Sequence, residues 1–165
     1  MQSDAHKFHG LLHSAALVEG ILRRELAPLG ISPRQARVIE AMGRTSPVSQ
    51  ADLAAAFGIT SASMSTMTDR LLVNGYITRS TDPTSRRQNV LELTDKGRTL
   101  LSGIDEAWAA IDDVIRVALG EDAAAFFSLT LRLRDTLGGT VPDTRTVSGA
   151  APDLAGTPAL ATASD

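Results

Sequence analysis

Apolar residues recur along most of this chain at helical spacing, with a short break to strand spacing near the middle. Phe8, Leu11, Leu12, Ala15, Val18, Leu22, Leu26 and Leu29 fall at steps of three and four. That pattern predicts an amphipathic helix over about residues 6–27, ending near Pro28-Leu29-Gly30. A second helix opens at Ser32-Pro33-Arg34-Gln35: serine caps it, proline takes the first helical position and glutamine the third. It is expected to bury Ala36, Ile39 and Met42 and to stop at Gly43, after which Ser46-Pro47 turns the chain.

Ser49 then caps a third helix with Leu53 and Phe57 on its inner face. Gly58 supplies a residue able to take positive φ at a sharp corner, and Ile59 plugs the gap to the next helix. That fourth helix is predicted over about 61–74, with Met64, Met67 and Leu71 along one line. Tyr76–Arg79 and Val90–Leu93 are β-prone runs joined by the polar stretch Ser80–Asn89. Thr94 starts a long helix with the stripe Leu100, Leu101, Ile104, Ala107, Trp108, Ile111, Val114, Ile115, Ala118. Gly120 breaks it, and a last helix from about Glu121 to Leu137 carries Phe126, Phe127, Leu129, Leu133 and Leu137. Beyond Gly138-Gly139 the composition is Pro, Gly, Ala, Ser and Thr without periodicity, so residues 140–165 are expected to form a disordered tail.

Two short helices meeting at a glycine, followed by a β-hairpin, is the order of a winged helix-turn-helix, a device that sets one helix in a DNA groove. The expected fold is therefore mainly α: a reading unit over about residues 32–93 with a two-stranded wing, flanked by long helices at about 6–27 and 95–137. Residues 1–139 make one domain. With Met64, Met67 and Leu71 placed inward and about 100° of rotation per residue, Ala62, Ser65, Thr66 and Asp69 point away from the core. Ser61, Ser63 and Arg70 lie on the flanks. This outward face is small and polar, which permits close approach to a major groove and hydrogen bonding to base edges or phosphates. A merely solvated helix can show the same face; the capped helix before it and the wing after it favour the reader. In the hairpin loop, the adjacent Arg86 and Arg87 suit insertion into a narrow minor groove of negative potential.

Charge sharpens this picture when divided along the chain. Of the 165 residues, 1–59 carry six Lys/Arg against five Asp/Glu, 60–98 six against four, and 99–165 four against ten. The net charge of −3 thus conceals a +2 segment on the suspected reader, and local charge is what steers association with phosphate. The 43% apolar fraction fits a globular chain, and no apolar run reaches the roughly 20 residues of a membrane helix. The opening MQSDAHKFHG lacks a basic segment followed by an apolar one, so a signal peptide is not expected. The absence of cysteine excludes disulfides and thiolate metal sites, and the expected location is the cytoplasm.

These residues resemble the MarR family of winged-helix regulators. The resemblance covers roughly residues 8 to 137 and is densest at Asp69-Arg70-Leu71, Asn74-Gly75-Tyr76-Ile77-x-Arg79, Asp82-Pro83-x-x-Arg86-Arg87 and Leu93-Thr94-x-x-Gly97. It implies a homodimer built by the first and the last two helices, with each winged unit on half of a pseudo-palindromic operator. It also implies repression relieved when a small aromatic or anionic effector enters a pocket between dimer helices and reading unit. By similarity, the span from Ser61 to Arg70 makes the major-groove contacts and Arg86 or Arg87 the minor-groove contact. One position departs: Ser85 stands where family wings usually carry an aspartate that pairs with a wing arginine, which leaves Asp82 as the alternative carboxylate.

Three competing readings are carried forward. His6, His9 and His13, the only histidines, recur at spacings of three and four, so a metal-responsive regulator is one of them. A solvated or interfacial cluster is the plainer account, and no metal or other cofactor is expected. A winged-helix module that binds protein is the second. An enzyme is the third, and it is not expected: the chain has no H-E-x-x-H, no glycine-rich phosphate loop and no G-x-S-x-G.

Overall fold

The structure is a computed structural model that describes residues 6–81 and 89–139. Helix α1 (Phe8–Leu26) runs into a single 3₁₀ turn (Ala27–Leu29), and α2 (Pro33–Thr45) leads to a two-residue strand β1 (Val48–Ser49). Next come α3 (Gln50–Ala56), α4 (Ser61–Val73), β2 (Ile77–Thr81) and β3 (Asn89–Leu93). The long α5 (Asp95–Leu119), a 3₁₀ turn (Gly120–Asp122) and α6 (Ala123–Thr136) complete it. The fold is mainly helical with a small antiparallel sheet, as the apolar periodicity requires.

The caps explain why these helices start where they do. Ser32 Oγ accepts from the Gln35 amide while Gln35 Oε1 accepts from the Ser32 amide, a reciprocal capping box. Ser49, Thr60 and Thr94 each accept from the amide three residues on, which satisfies one orphan donor at the start of α3, α4 and α5. Gly58 turns the α3–α4 corner at φ +61°, a conformation costly for a residue with a Cβ.

The core lies where α2, α3, α4 and α5 meet the inner face of the sheet, filled by Ile39, Met42, Leu53, Met64, Leu71, Leu91 and Ile104. Ile59 packs half-buried against it.

Three details differ from expectation. The sheet has three strands in the order β1–β3–β2, because Val48 and Ser49 pair antiparallel with Leu91 and Val90. Helix α2 does not stop at Gly43 but runs on to Thr45; a Cβ at Gly43 would lie 2.9 Å from Leu101 Cδ2, so glycine here lets α5 approach closely. His6 precedes α1 rather than lying on it. The expected tail over 140–165 falls outside the described residues.

Candidate nucleic-acid interface

Helix α4 presents the surface that the sequence singled out. Met64 and Leu71 are fully buried and Met67 is half-buried, which turns Ser61, Ala62, Thr66, Asp69 and Arg70 to the exterior; Ser65 is partly covered. Ser63 is exposed but occupied in part by the cap: its amide donates to Thr60 Oγ1 at 3.2 Å, and the Thr60 hydroxyl donates to Ser63 Oγ at 3.0 Å. The Thr66 hydroxyl donates to the Ala62 carbonyl at 3.2 Å, which leaves the oxygen's acceptor capacity unused on an exposed side chain. No bulky side chain stands on the first two turns of this face.

One buried residue on α4 was not anticipated. Thr68 has no exposed surface; its hydroxyl donates to the Met64 carbonyl at 2.9 Å and accepts from Arg79 Nη2 at 3.3 Å. The same Nη2 donates to Asp69 Oδ1 at 2.9 Å. Arg79 lies on β2, so this clamp ties α4 to the first strand of the hairpin and pairs Asp69 beside the outward face. Asp69 points outward as expected, yet its carboxylate is already engaged. Arg70 has no hydrogen-bond or ionic partner among the described residues, and it borders an open cleft of about 370 Å³ with Gly30, Gln35, Val73 and Asn74. Arg86 and Arg87, with Asp82 and Ser85, lie outside the described residues.

The histidines do not converge on an ion site. His6 and His9 have ring centroids 5.4 Å apart, and all three histidines are exposed. Among the described residues, no group of three or more His, Asp or Glu side chains is placed to hold a metal ion, and no helix is long and apolar enough to cross a membrane.

The flanking helices carry a different surface. Phe8, Leu11, Leu12 and Leu17 on α1, Val114 and Val117 on α5, and Leu129, Leu131 and Leu133 on α6 are all exposed, Val117 at 86%. Between these helices lies an apolar cavity of about 440 Å³, lined by Leu11, Ala15, Val18, Ile115, Leu119 and Phe126 among others.

A capped helix pair with a glycine corner, a small polar outward helix and a sheet that supports a hairpin together define a winged helix-turn-helix protein. Residues 29–88 match the family model described as MarR family. Beyond that segment, the described fold as a whole is similar to that of solved MarR structures. It superposes on the transcriptional repressor CouR bound to a 23-mer DNA duplex with a TM-score of 0.73 at 24% identity, covering 84% of this chain and 99% of that one. A crystal structure of MarR gives 0.70 at 23% identity over 84% and 95% of the two chains. A mutant MarR from E. coli complexed with operator DNA gives 0.68 at 20% identity over 79% and 97%. Among curated proteins, none matches this chain.

Proposed function

We infer that the protein is a homodimeric, sequence-specific DNA-binding regulator that represses transcription in the cytoplasm until a small aromatic or anionic ligand releases it. The observation that carries this reading is the outward face of α4. Ser61, Ala62, Ser65 and Thr66 form a low, hydroxyl-bearing surface on a helix fixed by its Thr60 cap and by the Asp69–Arg79 clamp. Such a surface reads base edges in a major groove, while Arg70 at its flank is placed for a phosphate. Arg86 and Arg87 supply the minor-groove contact in this reading. That two similar folds are seen with DNA supports the same use here.

The dimer follows from the flanks. Large apolar side chains exposed together on α1, α5 and α6 are costly in water and mark an interaction surface. Covering them with the same helices of a second copy gives a two-fold assembly, and a two-fold assembly reads an inverted repeat. For release, the cleft beside Arg70 adjoins the reading helix and offers a cationic group to an anionic effector. Fluorescence anisotropy with labelled duplexes tests the reading. Affinity should fall steeply as salt rises, because phosphate contacts release counterions, and should depend on sequence. Binding insensitive to both salt and sequence refutes it.

A further inference from the structure

The C-terminal end of the reading helix is held by the dimer helices at more points than chain connectivity demands. Thr94, the cap of α5, donates its hydroxyl to the Gly75 carbonyl at 2.7 Å, and its amide donates to the Tyr76 carbonyl at 3.1 Å. Lys96 Nζ, in the first turn of α5, donates to the Asn74 carbonyl at 2.8 Å and sits 4.9 Å from the centre of the Tyr76 ring. The Tyr76 hydroxyl in turn donates to the Leu29 carbonyl at 3.3 Å, at the end of the turn that closes α1. At Gly97, a Cβ would collide with the Tyr76 carbonyl oxygen, so α5 meets this corner backbone to backbone.

The arrangement is chemically matched. Asn74 caps α4, and its carbonyl lies at the negative end of the helix dipole, where an ammonium group is favoured. The Tyr76 ring adds its negative π-face to the same ammonium. One residue, Tyr76, therefore touches α5 through its carbonyl and its ring, and the end of α1 through its hydroxyl. The elements assigned to dimerisation and the helix assigned to reading thus share a stiff joint.

We propose that this joint of Tyr76, Thr94, Lys96 and Gly97 fixes the direction in which each reading helix leaves the dimer, and so sets the half-site spacing the protein accepts. Tyr76 and Lys96 are positioning residues here; neither belongs to the outward face of α4. The inference rests on the dimeric DNA-reading function inferred above. Inserting one base pair between half-sites moves one of them by about 3.4 Å and turns it by about 35°. A stiff joint cannot follow that displacement, whereas a loosened one can.

The test uses the full chain and a duplex that the wild type selects from a random pool, remade with one or two base pairs inserted or removed at its centre. The double variant Lys96→Met, Tyr76→Phe keeps the lysine stem and the ring but removes the ammonium and the hydroxyl. For the wild type, each displaced duplex should bind on the order of tenfold or more weaker than the parent, a loss like that of a mismatched site. For the double variant that penalty should shrink to about threefold or less. The single variant Gly97→Ala, which wedges α5 away from Tyr76, should move the preferred spacing instead.

A double variant that loses affinity equally at every spacing means that Lys96 merely touches phosphate, and overturns the proposal. An unchanged spacing profile overturns it as well, whether or not Gly97→Ala folds. A wild type that selects no duplex refutes the DNA-reading function itself, and the joint's role falls with it.

Discussion

Arg79 on β2 reaches back ten residues to place its Nη2 2.9 Å from Asp69 Oδ1 on α4, with the buried Thr68 hydroxyl as a second acceptor. Among the described residues, this is the one ion pair between α4 and the β2–β3 hairpin. The Arg79 side chain is 28% exposed and that of Asp69 54%, so solvent screens the pair. A double-mutant cycle of Asp69→Asn and Arg79→Gln in denaturant unfolding should give a coupling of about 0.5–1 kcal/mol, reduced at high salt. A coupling indistinguishable from zero at low salt would remove the clamp from the account.

Thr66 and Arg70 are exposed on the same helix but have different jobs in the inferred complex. Thr66→Ala should relax sequence preference, with discrimination at one base position falling by about 1–3 kcal/mol. Arg70→Ala should weaken every sequence alike and reduce the salt slope by about one. Competition binding against a panel of point-changed duplexes separates the two. If Arg70→Ala alters which bases are preferred, the assignment of phosphate and base contacts is wrong.

The wing makes a separate prediction, carried by the sequence. The double change Arg86→Ala and Arg87→Ala should cost on the order of 1–3 kcal/mol per specific contact in operator binding. Unchanged affinity would show that the wing takes no part in binding.

On the flanks, Leu129 and Leu133 lie one turn apart on α6 and are 51% and 45% exposed. Replacing both with glutamate puts charge into the inferred dimer surface. Sedimentation of the wild type at micromolar concentration should show a dimer, and of the variant a folded monomer. A wild type that sediments as a monomer contradicts the assembly.

The parts of the fold legible in the sequence are those fixed locally. Ser32, Ser49 and Thr94 announce helix starts because a cap is a short-range bond. The stripe of α5 announces its buried side through Leu100, Ile104, Ala107 and Ile111, whereas the stripe of α1 is buried only at Leu26. What sequence reading missed is set by partners distant in the chain. Val48–Ser49 has no strand pattern of its own and becomes one only beside Leu91 and Val90. Gly43 has the form of a helix stop, yet it sits inside α2 because Leu101, 58 positions on, needs the room.

The candidate site divides in the same way. The outward face of α4 was readable from Met64, Met67 and Leu71, since rotation along a helix is a local property. Thr68 was not, because a threonine among serines and threonines gives no sign of burial; the arginine at 79 that makes burial tolerable comes from another element. The joint at Tyr76 is invisible for the same reason: Lys96 and Leu29 reach it across 20 and 47 residues.

Sequencing the duplexes that the wild-type protein retains from a random pool is the most direct test of the central claim. A dimer that reads DNA with α4 should enrich an inverted repeat whose two equivalent half-sites lie about one helical turn apart. A pool that stays unenriched, or one that yields a single isolated half-site, would contradict it.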